Sequence, residues 1–184
     1  MAAYSEVIQT MAAMVIFSLI LLSANRMIIR NTHMEVQGEL EQEVVAIAQN
    51  VIEESRTKEF DENTQAAAPP AHIPGDFTDP NNLGSEITAD STSDDKDGDG
   101  KVERYEFDDF DDYNGWQDTV STEHGEFKIW AKVFYVDPNT YAKTSSRTTF
   151  KKIQVFVQNE FLKKGQTDSL QKYHLEFIRN YYAD

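Results

Sequence analysis

Apolar positions at the start of the chain follow a helical rhythm that changes character part-way along. Pro is absent from Met1 to Glu62 and Gly occurs once, at Gly38, so little opposes an unbroken helix. Val7 to Ala24 (VIQTMAAMVIFSLILLSA) is an uncharged run of 18 residues between Glu6 and Asn25-Arg26. At about 1.5 Å per residue it spans roughly 27 Å, close to the hydrocarbon thickness of a bilayer. Farther on, Val36, Leu40, Val44, Ile47 and Val51 recur at spacings of four, four, three and four, which draws one apolar stripe. Glu39, Glu41, Glu43, Glu53 and Glu54 fall on or near the wet side. The pattern predicts one helix from about Tyr4 to about Thr57, roughly 80 Å long at the standard rise. Residues 1–30 form its hydrophobic half and residues 31–60 its amphipathic half. Gly38 is its weakest position, by about 1 kcal/mol relative to Ala, and local melting is expected there.

At the other end the period changes to two. Phe127 to Val136 (FKIWAKVFYV) alternates around Lys128 and Lys132 and runs into Asp137-Pro138-Asn139, a strand followed by a turn. Thr148 to Val157 sets Ile153, Val155 and Val157 against Lys152, Gln154 and Phe156. Leu170 to Tyr181 sets Tyr173, Leu175 and Phe177 against Lys172, His174 and Glu176, a third strand, with a helix as the alternative. Turn-linked neighbours imply an antiparallel sheet within residues 117–184, one face of which the amphipathic helix half can cover. The expected fold class is α+β: a long N-terminal helix, membrane-spanning then amphipathic, packed on a C-terminal antiparallel sheet, with an irregular calcium-loop insertion between them.

Composition sharpens the middle of the chain. The 184 residues carry 17 basic and 32 acidic side chains, a net charge of −15. From Asp76 to Glu126 there are 17 acids against Lys96, Lys101 and Arg104, so a local charge of −14 accounts for nearly all of it. Such a surface opposes nucleic acid and anionic lipid and favours cations. The absence of cysteine excludes disulfides, thiolate zinc sites and a cysteine nucleophile. The four histidines, His33, His72, His124 and His174, are scattered, and no catalytic constellation forms around them; the chain reads as a non-enzyme.

Residues 61–94, rich in Pro, Ala, Ser, Thr, Asn and Asp, read as an irregular linker. Residues 95–116 form an acidic calcium-binding loop region. Asp95-Lys-Asp97-Gly-Asp99-Gly100-Lys101-Val-Glu103-Arg-Tyr-Glu106 places acids at loop positions 1, 3, 5, 9 and 12, glycine at 6 and an apolar residue at 8. A hard cation needs about six to eight oxygens, which alternate residues of a tight loop can aim at one point. The expected Ca2+ ligands are Asp95, Asp97, Asp99, the Lys101 carbonyl, Glu103 and Glu106. Ile87 to Asp94 is a poor entering helix and no second loop occurs, so the ion is expected to be structural rather than signalling. The next stretch, Phe107 to Trp116, interleaves aromatics with acid pairs. The aromatics are expected to dock on the core, Asn114-Gly115 to turn the chain, and Asp108, Asp109, Asp111 and Asp112 to form a solvated face or to add calcium ligands.

A long helix, apolar then amphipathic, followed by an irregular segment and a C-terminal antiparallel sheet resembles a type IV pilin or pseudopilin. The stretches Ala46–Glu54 running into Phe60–Thr64, Phe107–Trp116, and Tyr135–Pro138 with Thr149–Ile153 resemble minor-pilin-like proteins of mannose-sensitive haemagglutinin pilus systems. The resemblance implies a structural subunit that sits in the inner membrane with the assembly machinery and then polymerises with copies of itself into an extracellular filament at the cell surface. It also implies an assembly role for Glu6, the fifth residue once Met1 is removed. Three readings stay open: such a filament subunit, a pseudopilin of a secretion system, and a single-pass anchored calcium-binding or adhesive protein that does not polymerise. A signal peptide shares the apolar run, but no basic segment precedes it and no small-x-small cleavage site follows. Arg26 and Arg30 beyond the run favour a cytoplasmic C-terminal part, unless a basic leader has been removed.

Overall fold

A computed structural model describes residues 2–64, 70–85, 103–163 and 170–183. Helix α1 spans Ala2–Thr57 and passes Gly38 without a break. Strands β1 (Gln117–Thr122), β2 (Gly125–Tyr135), β3 (Phe150–Lys163) and β4 (Leu170–Asn180) follow, with short 3-10 turns at Glu62–Thr64 and Tyr181–Ala183. The chain divides into two compact units, Met1–Gln42 and Glu43–Asp184.

In the second unit the helix runs to Thr57 and packs on an antiparallel sheet of order β1-β2-β3-β4. Its buried residues are Val44, Ala48, Val51, Ile52 and Ser55. They share the core with Phe127, Ile129, Ala131, Val133 and Tyr135 of β2 and Ile153, Val155 and Val157 of β3. The register pairs Ile129 with Val157 and Val133 with Ile153, so like faces coincide across the ladder. Each buried valine contributes about 2 kcal/mol by area removed from water. Of the expected stripe, Leu40, Val44 and Val51 are buried, Ile47 is half-buried and Val36 exposed, while Ala48 and Ile52 join the buried face.

Two sequence expectations change here. The sheet has a strand more than the alternation shows, because β1 (QDTVST) is an edge strand joined to β2 by the turn at Glu123–His124 and is exposed along most of its length. Beta-3 extends to Lys163, past the end of the alternating pattern. Leu170 onward is a strand, paired with β3 from Phe150↔Asn180 to Gln158↔Lys172. Gly115 sits at φ +86, which fits the chain turn expected at Asn114-Gly115, and the Asn114 side chain bonds the Leu83 carbonyl at 2.8 Å and the Val133 N–H at 3.0 Å. The outer sheet face carries an aromatic ladder, with Trp130 stacked on Phe156 at 5.4 Å and Phe156 on His174 at 5.7 Å.

Candidate functional site

Three features outside ordinary core packing carry chemistry. The first is the helix of the N-terminal unit. Every residue described from Tyr4 to Gln37 is exposed, including Val7, Ile8, Val15, Phe17, Leu19, Ile20 and Leu22. An α-helix satisfies its own backbone groups, so a surface apolar on all sides can exist in hydrocarbon or among other apolar helices. By length and composition the helix can cross a membrane. Thr10 and Ser18, two of the four polar residues within the run, return their hydroxyls to the carbonyls of Val7 and Met14 at 2.8 Å, which removes two donors from the apolar surface. Glu6 lies on this helix, exposed, one residue before the uncharged run.

The second feature is the end of the proposed calcium loop. Asp95, Asp97, Asp99 and Lys101 lie outside the described residues, and Glu103 and Glu106 within them. These two are brought together: Glu106 Oε2 accepts the Glu103 N–H at 2.9 Å, while the Glu106 N–H donates to the Glu103 carbonyl at 2.9 Å. The first contact is one half of a capping box, the side chain three residues on reaching back to the N–H, and the second is an ordinary backbone turn bond. Glu106 is wholly buried. Its carboxylate is turned back onto the Glu103 N–H, and the oxygen donor set of the sequence suits a hard cation. Next to this turn, Arg104 donates through Nε to Glu54 Oε2 at 2.8 Å, and the Tyr113 hydroxyl donates to Glu54 Oε1 at 2.9 Å. Burial works to raise the Glu54 carboxyl, but these two donors and the Arg104 charge hold it below its ordinary value. Glu54 is therefore no wet-side residue; it ties the helix to the acidic segment. Among the described residues, no three His, Asp or Glu side chains are grouped to hold a metal ion.

The third feature is a buried ionic cluster at Lys151. Phe107, Phe110 and Tyr113 dock into the core as expected. The acids between them do not form a solvated face: Asp109, Asp111 and Asp112 are buried. The segment folds back on itself, with Asp109 Oδ1 accepting the N–H groups of Asp111 at 2.7 Å and Asp112 at 3.2 Å. Asp112 Oδ2 accepts those of Asp108 at 2.9 Å and Asp109 at 3.1 Å. Carboxylates that saturate turn N–H groups can enter a core, and a cation from β3 meets them there. Lys151 is 0% exposed. Its Nζ donates to Asp61 Oδ2 at 2.7 Å, to the Phe60 carbonyl at 2.9 Å and to Asp111 Oδ1. The ammonium also lies over the Phe60 ring at 4.8 Å and the Tyr135 ring at 5.3 Å.

The three carboxyls of the cluster differ in what surrounds them. Burial works to raise Asp61, but the Lys151 charge and hydrogen bond, with the N–H groups of Thr78 and Asn63, hold it below its ordinary range. It also takes the Thr78 hydroxyl at 3.0 Å and the Tyr135 hydroxyl at 3.1 Å. Asp111 is pushed up to about 6, first by burial, against the pull of Lys151 and with the charge of Asp61 adding to the rise. Asp109 is pushed well above its ordinary value by burial and then by the Asp111 charge. Burial acts to lower Lys151, and Asp111, Asp61 and Asp109 together reverse it, so the amine is held as an ammonium. Nearby, Arg179 caps the chain after the helix, donating to the Lys58 carbonyl and, at 3.1 Å, to the Glu59 carbonyl.

Sequence reasoning missed Lys151. The signal was present: two residues before Ile153, it belongs to the face of Ile153, Val155 and Val157 rather than to the solvent face of Lys152. No family model, curated protein or solved structure matches this chain.

Proposed function

We propose that this chain is a structural, pilin-like subunit of an extracellular type IV pilus-like filament, anchored in the inner membrane before assembly and polymerising through its N-terminal helix. The observation that carries the reading is the exposure of the whole apolar helix from Tyr4 onward. A surface of that kind needs lipid or like helices, and moving it from a bilayer into a bundle of identical helices keeps it dry throughout. Glu6 supports the reading by position. A carboxylate entering such a bundle needs a cationic partner, because an unpaired buried charge is costly. A terminal amine of a neighbouring subunit has the right charge for that place.

Calcium is part of the same proposal. Asp95, Asp97, Asp99, the Lys101 carbonyl, Glu103 and Glu106 would hold the ion, neutralising part of a segment too acidic to fold by burial alone. The ion supplies charge and cross-bracing, and no reaction. Chain residues do the rest: Glu106 closes the loop on the core side, and the aromatics of the following segment anchor it.

Mechanical shearing of cells followed by fractionation tests the filament reading. The chain is expected in the sheared, sedimentable fraction, and Glu6→Ala is expected to leave it in the membrane fraction. Recovery of the unaltered chain solely in membranes would instead support a single-pass anchored protein that does not polymerise. Fractionation together with a secretion-system complex, with no surface material, would support a pseudopilin.

A further inference from the structure

The Lys151 cluster holds the reactants of a condensation, an amine and a carboxyl, in a dry site with a proton donor beside them. We propose that Lys151 and Asp111 join in an intramolecular isopeptide bond, Nζ to Cγ, formed by the folded chain without any other reagent. This inference does not depend on the filament reading.

The geometry distinguishes the roles. The side chains of Lys151 and Asp61 are 0% exposed and that of Asp111 is 2% exposed, so bulk water does not compete. The three protons of the Lys151 ammonium are all engaged, toward Asp61, Phe60 O and Asp111. Transfer of the one facing Asp111 to its Oδ1 leaves a neutral amine and a neutral carboxylic acid. The lone pair then points to Asp111, because the other two N–H bonds stay tied to Asp61 and Phe60. Asp111 is the group suited to accept that proton, since burial already favours its neutral form. Asp61 is the group suited to stay an anion, held by Thr78, Asn63 and Tyr135. The electrophile is therefore Asp111 and not Asp61, although Nζ touches both.

The bonds balance within the cluster. The Nζ lone pair attacks Asp111 Cγ and forms the N–C bond, giving a tetrahedral centre with a positive nitrogen, one hydroxyl and one oxyanion. Asp109, which is held against Asp111 by the Asp111 N–H at 2.7 Å and whose neutral form burial favours, donates to that oxyanion, and Asp61 faces the positive nitrogen. A second Nζ proton passes to the hydroxyl, the C–O bond breaks, and one water leaves as the carbonyl reforms. One ammonium and one carboxylate have become one amide and one water, with Asp61 and Asp109 unchanged. Holding the two groups in contact gives an effective concentration on the order of 10⁵–10⁸ M for the attack, and exclusion of bulk water from the site opposes hydrolysis of the amide once formed. In the product, the Lys151 amide N–H still donates to Asp61, whose other donors remain in place.

Such a bond would close a loop of 40 residues between the acidic segment and β3, in a chain with no cysteine to do so. Intact mass spectrometry of the full chain, purified in detergent and folded by near-UV circular dichroism, tests it. The expected mass is about 18 Da below that of the unlinked chain, the weight of one water. Proteolysis is expected to yield one branched peptide joining Asp111 to Lys151. After denaturation, Lys151 is expected to resist acetylation while the other lysines react. Lys151→Arg, which keeps the charge, is expected to restore the full mass. An unmodified mass for the folded wild-type chain, a branch at Asp61, or a water loss that persists in Lys151→Arg would each overturn the assignment.

Discussion

Replacing Lys151 by Met removes the buried cation and, with it, the group that joins Asp111. The methionine fills a similar volume and leaves Asp61, Asp109 and Asp111 facing one another with the ammonium gone. Removing one partner of a buried pair costs about 3–5 kcal/mol, a large share of the 5–15 kcal/mol that holds an ordinary domain together. The penalty has a pH signature. In the wild type, Asp61 is held below its ordinary value, so its contribution is present above about pH 4 and lost as the pH falls through its folded value. Asp111, pushed up to about 6, contributes stability that is full below about pH 4 and lost as the pH rises through 6. In the variant, both carboxyls lose their cation and bind protons more readily, so stability falls more steeply as the pH rises from about 4 to 7. The wild-type advantage is therefore smallest near pH 4 and largest at pH 7. With the isopeptide bond formed, Lys151 carries no charge and Asp111 no longer titrates, so the linked wild type keeps its stability as the pH rises while the variant loses it, and the advantage is still largest at pH 7. Both tryptophans, Trp116 and Trp130, lie in the sheet unit, so their fluorescence follows denaturant unfolding of the full chain in detergent. A difference under about 1 kcal/mol at pH 7, or one larger at pH 5 than at pH 7, would refute the reasoning.

Other consequences are direct. Tyr135→Phe keeps the ring over Lys151 but removes the hydroxyl shared by Asp61 at 3.1 Å and the Thr78 carbonyl at 2.9 Å; a loss of about 1–3 kcal/mol is expected in the same unfolding assay. Gly125→Ala is expected to lower the thermal midpoint, at a cost of about 1–3 kcal/mol, because Gly125 has φ +105 and a Cβ there would lie 3.0 Å from the Phe161 ring. Gly75→Ala is the control, with ordinary contacts at 3.4 Å and no positive φ, and should be close to neutral. Chelation of calcium, or Asp97→Ala combined with Glu106→Ala, should raise protease sensitivity between Asp61 and Trp116; unchanged protection and no bound metal would refute the ion.

The parts of the fold set by local periodicity were legible from the residues. The long helix and the three alternating strands follow from spacings of about 3.6 and two, which do not depend on distant partners. Beta-1 was not legible, because an exposed edge strand such as QDTVST has no buried face to mark it. The fate of the acids between Phe107 and Trp116 was not legible either. A run of acid pairs reads as solvated unless a cation and turn N–H groups are known to meet it, and here the cation is 40 residues away on β3. Lys151 lay within reach of the alternation, but a charge on an inward position reads as an error of register until its partners are seen. Of the proposed sites, Glu6 and the loop from Asp95 to Glu106 rest on sequence position, and the Glu103–Glu106 turn is the part of that loop with visible geometry.

The central claim is that the apolar helix builds a filament. Electron microscopy of sheared, purified surface material, with its composition read by mass spectrometry, tests it most directly. The account predicts thin filaments that contain this chain, with the helices bundled at the centre and the sheet units outside. Filaments that lack the chain, or a surface preparation without filaments from cells whose membranes hold it, would contradict the account.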